Sequence, residues 1–133
     1  MTGSEDPKPS SYRPFVSARR PGGSPAGKPK WRVIVHRKHL QLWNDLVDRC
    51  GLQAAQQCWD HLAFNADRPS PFGNITMMKG KLRHGKDGWS GVHHYEITGA
   101  GRVDFQHHAN FSGGAIGDEH AVVRIISIDL GSH

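Results

Sequence analysis

The chain has 133 residues, a formal net charge of +5 and an apolar fraction of 36%. That length suits one domain, and no apolar run approaches the ~18 residues that crossing a bilayer takes, so no membrane contact is expected. The N-terminus lacks the apolar stretch of a secretory leader, and two cysteines in a helical pattern make neither a disulfide framework nor a metal spacing; a reducing cytoplasm is the expected compartment.

In chain order, the first thirty residues carry six prolines, several Ser and Gly, and little that is apolar. Such a segment cannot bury enough surface to offset its chain entropy, so residues 1–30 read as a disordered, basic, Pro-rich tail. Lys8, Arg13, Arg19, Arg20, Lys28 and Lys30 outnumber Glu5 and Asp6 there, which places most of the net charge in the tail. It reads as a polyanion contact or, equally, as a solvated linker.

The folded part spans residues 31–133. Trp31, Val33 and Val35 alternate with Arg32, Ile34 and His36, as in a strand. Leu40, Trp43, Leu46, Val47 and Cys50 then recur at three and four, which predicts a helix closed by Gly51. Leu52, Ala55, Trp59 and Leu62 give a second helix ending near Asn65, because Asp67-Arg68-Pro69-Ser70-Pro71 cannot continue it. The short link makes the two a helical hairpin. Ile75 to Leu82 reads as strand or irregular, and leads into Lys79, Lys81, Arg83, His84 and Lys86, a basic cluster that reads as a phosphate contact or a solvated loop.

His93 to His107 reads as a β-hairpin turning at Gly99-Ala100-Gly101. Period two sends Tyr95, Ile97, Val103 and Phe105 to the core. In simple register, His94, Glu96, Arg102 and Gln106 share the opposite face. Asn110 to Asp118 is Gly-rich and expected to be a mobile connection, and Ala121 to Leu130 is apolar enough for a central strand. The predicted fold class is α+β in two layers: an N-terminal strand, a helical hairpin, then an antiparallel sheet of three to four strands with one face left open.

Met78-Lys79-Gly80, Trp89-Ser90, Tyr95-Glu96-Ile97-Thr98, Arg102-Val103-Asp104-Phe105 and the terminal Ile126-Ser127-Ile128-Asp129-Leu130-Gly131-Ser132-His133 follow one another in this order. Over residues 31–133 the chain resembles the RelE/ParE toxin superfamily of bacterial toxin–antitoxin systems, in its YoeB-like branch. The resemblance implies a ribosome-associated messenger-RNA endoribonuclease, working without metal or cofactor and neutralised by a cognate antitoxin, as a homodimer or a toxin–antitoxin heterocomplex. It further implies that Arg102 holds the scissile phosphate, that His133 acts as general acid, and that Lys79 is a basic contact. Tyr95 and Glu96 stand where that family carries cations, and Met78 stands near the place of a glutamate base. These departures keep open a non-enzymatic protein on the same fold: a ParE-like inhibitor of DNA gyrase, or a degenerate RNA- or protein-binding module.

Ribonuclease chemistry needs a base for the 2′-hydroxyl, a cation for the phosphate and an acid for the leaving oxygen. Glu96 or His94 fits the first role, Arg102 the second and His133 the third. Glu96 opposite Arg102 reads first as a plain cross-strand ion pair of roughly 0.2–1 kcal/mol. The histidines lack the helical spacing or Cys partner of a zinc site, so no metal is expected.

Overall fold

The computed structural model describes residues 14–25, 27–70, 75–77, 87–97, 101–111 and 119–131. Its strands are β1 (Phe15–Ser17), β2 (Arg32–His36), β3 (Ile75–Met77), β4 (His93–Ile97), β5 (Gly101–Phe111) and β6 (His120–Asp129). Its helices are α1 (Leu40–Asn44), α2 (Leu46–Cys50) and α3 (Leu52–Asn65). The strands form one sheet in the order β1-β2-β6-β5-β4-β3. The α+β class is as expected. Four antiparallel strands, β3 to β6, follow the helices as expected; among the described residues β1 and β2 extend the sheet to six strands, and it is mixed, because β2 runs parallel to β6.

β6 lies between β2 and β5, the central place its apolar run calls for. Val122 and Val123 point to opposite faces, and both are fully buried. The helices cover one face. Val33, Val35, Tyr95, Ile97, Val103, Phe105, Val123, Ile125 and Ile128 meet Trp43, Leu46, Ala55, Trp59 and Leu62 in a single core. The hairpin parity holds, with Tyr95, Ile97, Val103 and Phe105 exposed by 2% or less. Leu52, expected on the buried helix face, is 45% exposed.

The first predicted helix is broken. His36 closes β2 and caps a 3-10 turn over Arg37–His39, its Nδ1 accepting from the Lys38 amide at 3.3 Å. α1 and α2 are then separated at Asp45, whose amide is shared between the Gln41 and Leu42 carbonyls at 2.9 and 3.2 Å. Gly51 ends α2 with φ 93°, a backbone angle that favours glycine.

Residues 14–25 correct the expectation of a free tail. Phe15–Ser17 pairs antiparallel with β2, and Ala18 enters the core at 3% exposure. Beyond it the chain crosses the helices as a strap. The Trp59 indole donates to the Ala18 carbonyl at 2.8 Å, the Trp43 indole to that of Arg19 at 2.9 Å, and the Gln56 amide to that of Pro21 at 3.0 Å. Arg20 grips Asp60 with two bonds, of 2.7 and 3.1 Å. Composition argued for disorder because the segment cannot build its own core. It does not need to: helix side chains satisfy its carbonyls, and it uses their apolar surface. The β5 strand also continues to Phe111, into the stretch expected to be a loose connection; residues 112–118 lie outside the described ones.

Beside the core sits a group of histidines. His93 stacks on Phe105 and on His107, at centroid distances of 5.2 and 5.3 Å, and His61 lies 5.8 Å from Tyr95. Burial, helped by the neighbouring His107 and His61, pushes the His93 pKa down to about 4. Burial also lowers His61 and His107, against a hydrogen bond that the His61 ring donates to the Arg68 backbone and the charge of Asp67, respectively.

Two outcomes are expected. Deleting residues 1–24 orphans two indoles, a glutamine amide and a carboxylate, and should lower the unfolding free energy by ~3 kcal/mol or more in urea titration; an unchanged midpoint contradicts the strap. Separately, folded-state pKa values below the unfolded ~6.5 mean that the unfolded chain binds more protons between about pH 6.5 and 4. Stability should therefore fall as pH drops through that window, and His93→Phe should flatten the dependence of the melting temperature.

Candidate functional site

The face of the sheet away from the helices is set by how β4, β5 and β6 align. Glu96 pairs with Arg102, which pairs with Asp129 on its other side; one rung along, His94 pairs with Asp104, which pairs with Ser127. The first rung is an acid, a cation and an acid. The second is joined by hydrogen bonds.

Asp104 is the hub of both. Its Oδ1 meets the Nδ1 of His94, its Oδ2 accepts the Ser127 hydroxyl at 2.7 Å, and the Arg102 Nε lies 3.4 Å from Oδ1. The Asp104 and His94 side chains are 14% and 19% exposed, whereas Arg102 is 46% exposed and reaches into solvent. A carboxylate at Nδ1 favours the proton on that nitrogen and turns Nε2 outward as the ring's basic atom. The arrangement thus offers an oriented imidazole beside a fixed cation, the pair that acid–base chemistry at a phosphate needs. It is not a nucleophile triad, because the carboxylate, not the imidazole, sits between the other two groups.

Arg102 is the residue of that group with carboxylates on three sides, Glu96 and Asp129 across the strands and Asp104 on its own. A phosphate binding there competes with Asp104 for the guanidinium. Asp129 is partly engaged, accepting from the Gly131 amide at 2.9 Å.

The other half of this face is covered. Arg124 stacks 3.8 Å over the Trp89 ring and donates twice to the Gln106 amide oxygen, at 3.0 and 2.8 Å. Gln106 in turn donates to the Ser90 carbonyl at 2.9 Å, and the Ser90 hydroxyl accepts from the His107 amide at 3.0 Å. Trp89 also packs edge-on against His108. Ile34 and Val122 are buried on this side, and burial lowers the Arg124 pKa. Gln106, grouped by parity with the open site, belongs instead to this covered patch.

Of the expected site residues, the fold brings His94, Glu96 and Arg102 together. His133, Lys79, Lys81, Arg83 and Lys86 lie outside the described residues. Gly131, the last described residue, bonds to the Arg102 rung through Asp129, and its carbonyl accepts from Arg49 at 3.1 Å. Asp104 and Ser127 were not singled out from the sequence. Asp104 was legible, since parity sets it opposite His94. Ser127 was not, because a bulge at Ile126 shifts β6 by one residue against β5. Among the described residues no three His, Cys, Asp or Glu side chains gather as metal ligands do, and no helix is long and apolar enough to cross a membrane. His93 and His107 turn toward the core, and His94 and His108 turn away from it. Comparison with protein-family models, with curated proteins and with solved structures finds no match.

The shared carboxylate makes its donors interdependent. Asp104→Ala and Ser127→Ala should be non-additive in unfolding free energy, with a coupling of roughly 0.5–3 kcal/mol. Additivity within ~0.3 kcal/mol in a double-mutant cycle contradicts a formed bond between them.

Proposed function

We propose that this chain is an RNA endoribonuclease of the RelE/YoeB kind, acting on messenger RNA at the ribosome in the cytoplasm and held in check by an antitoxin partner. The observation that supports this reading is the His94–Asp104 pair one rung from Arg102, on the exposed part of the sheet. In this reading Arg102 draws the scissile phosphate onto the sheet and stabilises the charge that builds on its oxygens. His94, oriented by Asp104, takes the proton of the 2′-hydroxyl through Nε2. The 2′-oxygen bonds to phosphorus, the bond to the 5′-oxygen breaks, and His133 protonates that oxygen. The products are a 2′,3′-cyclic phosphate and a free 5′-hydroxyl. Lys79, Lys81, Arg83 and Lys86 would hold flanking phosphates. His94 thereby takes the base role in preference to Glu96, whose rung position makes it a cross-strand partner of Arg102.

A second reading is non-enzymatic: a gyrase-inhibiting or otherwise binding-only protein on this fold. The three carboxylates around Arg102 favour it, since they weaken the attraction of a phosphate.

Induced expression in a growing bacterium, with primer extension on messenger ends, separates the two. Growth arrest with new ends is expected for the wild type. His94→Gln should lower cleavage by about 10²-fold or more, as loss of a general base does, and Arg102→Ala and removal of His133 should abolish it. Arrest with intact messenger and damaged DNA supports the gyrase reading. Absence of arrest in every form contradicts both toxin readings.

A further inference from the structure

At the far end of β6 from Arg102, where the parallel strands β2 and β6 both begin, lies a cleft of about 550 Å³. Lys28, Lys30, Arg32 and His120 line it over an apolar floor that includes Trp31 and Ala121, and no carboxylate residue is among its described lining. We propose that this cleft is a second anion site, which takes a phosphate of a single-stranded RNA bound along the same sheet. That a phosphate binds rests on the cleft itself; that it belongs to RNA rests on the function proposed above.

The charges there converge for structural reasons. The strap returns from the helices to enter β2, and this brings Lys28 and Lys30 next to Arg32. The parallel register sets Arg32 opposite Val122, two residues into β6, and so beside His120. Arg32 Nη2 lies 2.9 Å from His120 Nε2, so the guanidinium donates to the ring and holds it with its proton on Nδ1. With five N–H donors in a planar fork, Arg32 can serve His120 and an anion together. Lys30 is anchored loosely. Its Nζ is 5.2 Å over the Trp31 ring and 3.9 Å from Asp67, and its side chain is 57% exposed, so that pairing opposes redirection only weakly. Lys28 is exposed as well. Lys28, Lys30 and Arg32 thus bring three cations to one cleft, and a bound anion would relieve their mutual repulsion.

The two sites sit at opposite ends of one strand. The nine steps from His120 to Asp129 at ~3.3 Å each put them about 30 Å apart. A strand that spans both is several nucleotides long, and a short oligonucleotide reaches only one of them. The cleft therefore acts as an anchor that adds affinity for long substrate without touching the reacting atoms.

The test uses the full chain and the variant Lys28→Gln/Lys30→Gln, with Arg32→Gln as a second variant; melting curves check that both remain folded. Inorganic phosphate and adenosine monophosphate are titrated against the amide and side-chain nuclear magnetic resonance signals of Arg32 and His120. Binding of a labelled single-stranded RNA, long and short, is measured over a range of salt. The expected results are shifts of the Arg32 and His120 signals with phosphate, and at least tenfold weaker binding of the long RNA by the double variant. The salt slope should shrink by roughly 1.4, from two lost phosphate contacts on a single strand. Unchanged affinity and slope with no phosphate shifts overturn the site. Phosphate shifts without any change in RNA binding overturn its assignment to RNA. Should the long RNA bind through this cleft but never be cleaved, the endoribonuclease reading fails and the anion site stands.

Discussion

Everything on the exposed side of this molecule depends on the register of β5 between β4 and β6. Tyr95, Val103, Phe105 and Ile125 fill the helix-facing core, and their parity leaves no freedom to their neighbours. Because the core demands those side chains, Arg102 and Asp104 must point away from it, Arg102 between Glu96 and Asp129 and Asp104 between His94 and Ser127. A slip of one residue would drive a guanidinium and a carboxylate into a dry core, at a cost of several kcal/mol per charge. Packing on one face thereby holds polar chemistry in place on the other. The register has its own guard at the turn. At Gly101 an added Cβ would lie 2.9 Å from the Ile97 carbonyl, so the hairpin closes tightly only with glycine there.

The strap extends the same logic to the N-terminal part of the chain. Its residues carry no periodic apolar pattern of their own, yet four side chains of the helical layer, Trp43, Gln56, Trp59 and Asp60, reach out to hold it. In crossing back to β2 it delivers Lys28 and Lys30 to the start of β6. Part of the basic character of the N-terminal region is thus displayed at a defined place, beside Arg32 and His120, rather than spread along a free chain.

How far the sequence led is clear from particular residues. Period two alone gave the faces of Tyr95, Ile97, Val103 and Phe105, and with them the side on which His94, Glu96 and Arg102 lie. The same rule split His93 from His94 and His107 from His108. Three things lay beyond it. The parallel pairing of β2 with β6 is a long-range contact with no local signature. The Ile126 bulge, which brings Ser127 to Asp104, inserts a residue that alternation cannot foresee. The order of the strap depends on partners more than twenty residues away, such as Trp43 for Arg19 and Trp59 for Ala18. In each case the deciding interaction is tertiary, whereas composition and periodicity report only what a segment does by itself.

The site that results has a tension at its centre. Asp104 orients His94 and steadies Ser127, but it also draws Arg102 toward itself. An enzyme that uses this surface would trade affinity at Arg102 for a well-placed imidazole, and flanking cations would make up the difference. Nitrogen resonance measurements on the His94 ring test the hub most directly. In the neutral form of the ring the proton is expected on Nδ1, with Nε2 bare, and this preference should be lost in Asp104→Ala. A neutral ring protonated at Nε2 in the wild type, or a tautomer indifferent to residue 104, would contradict it.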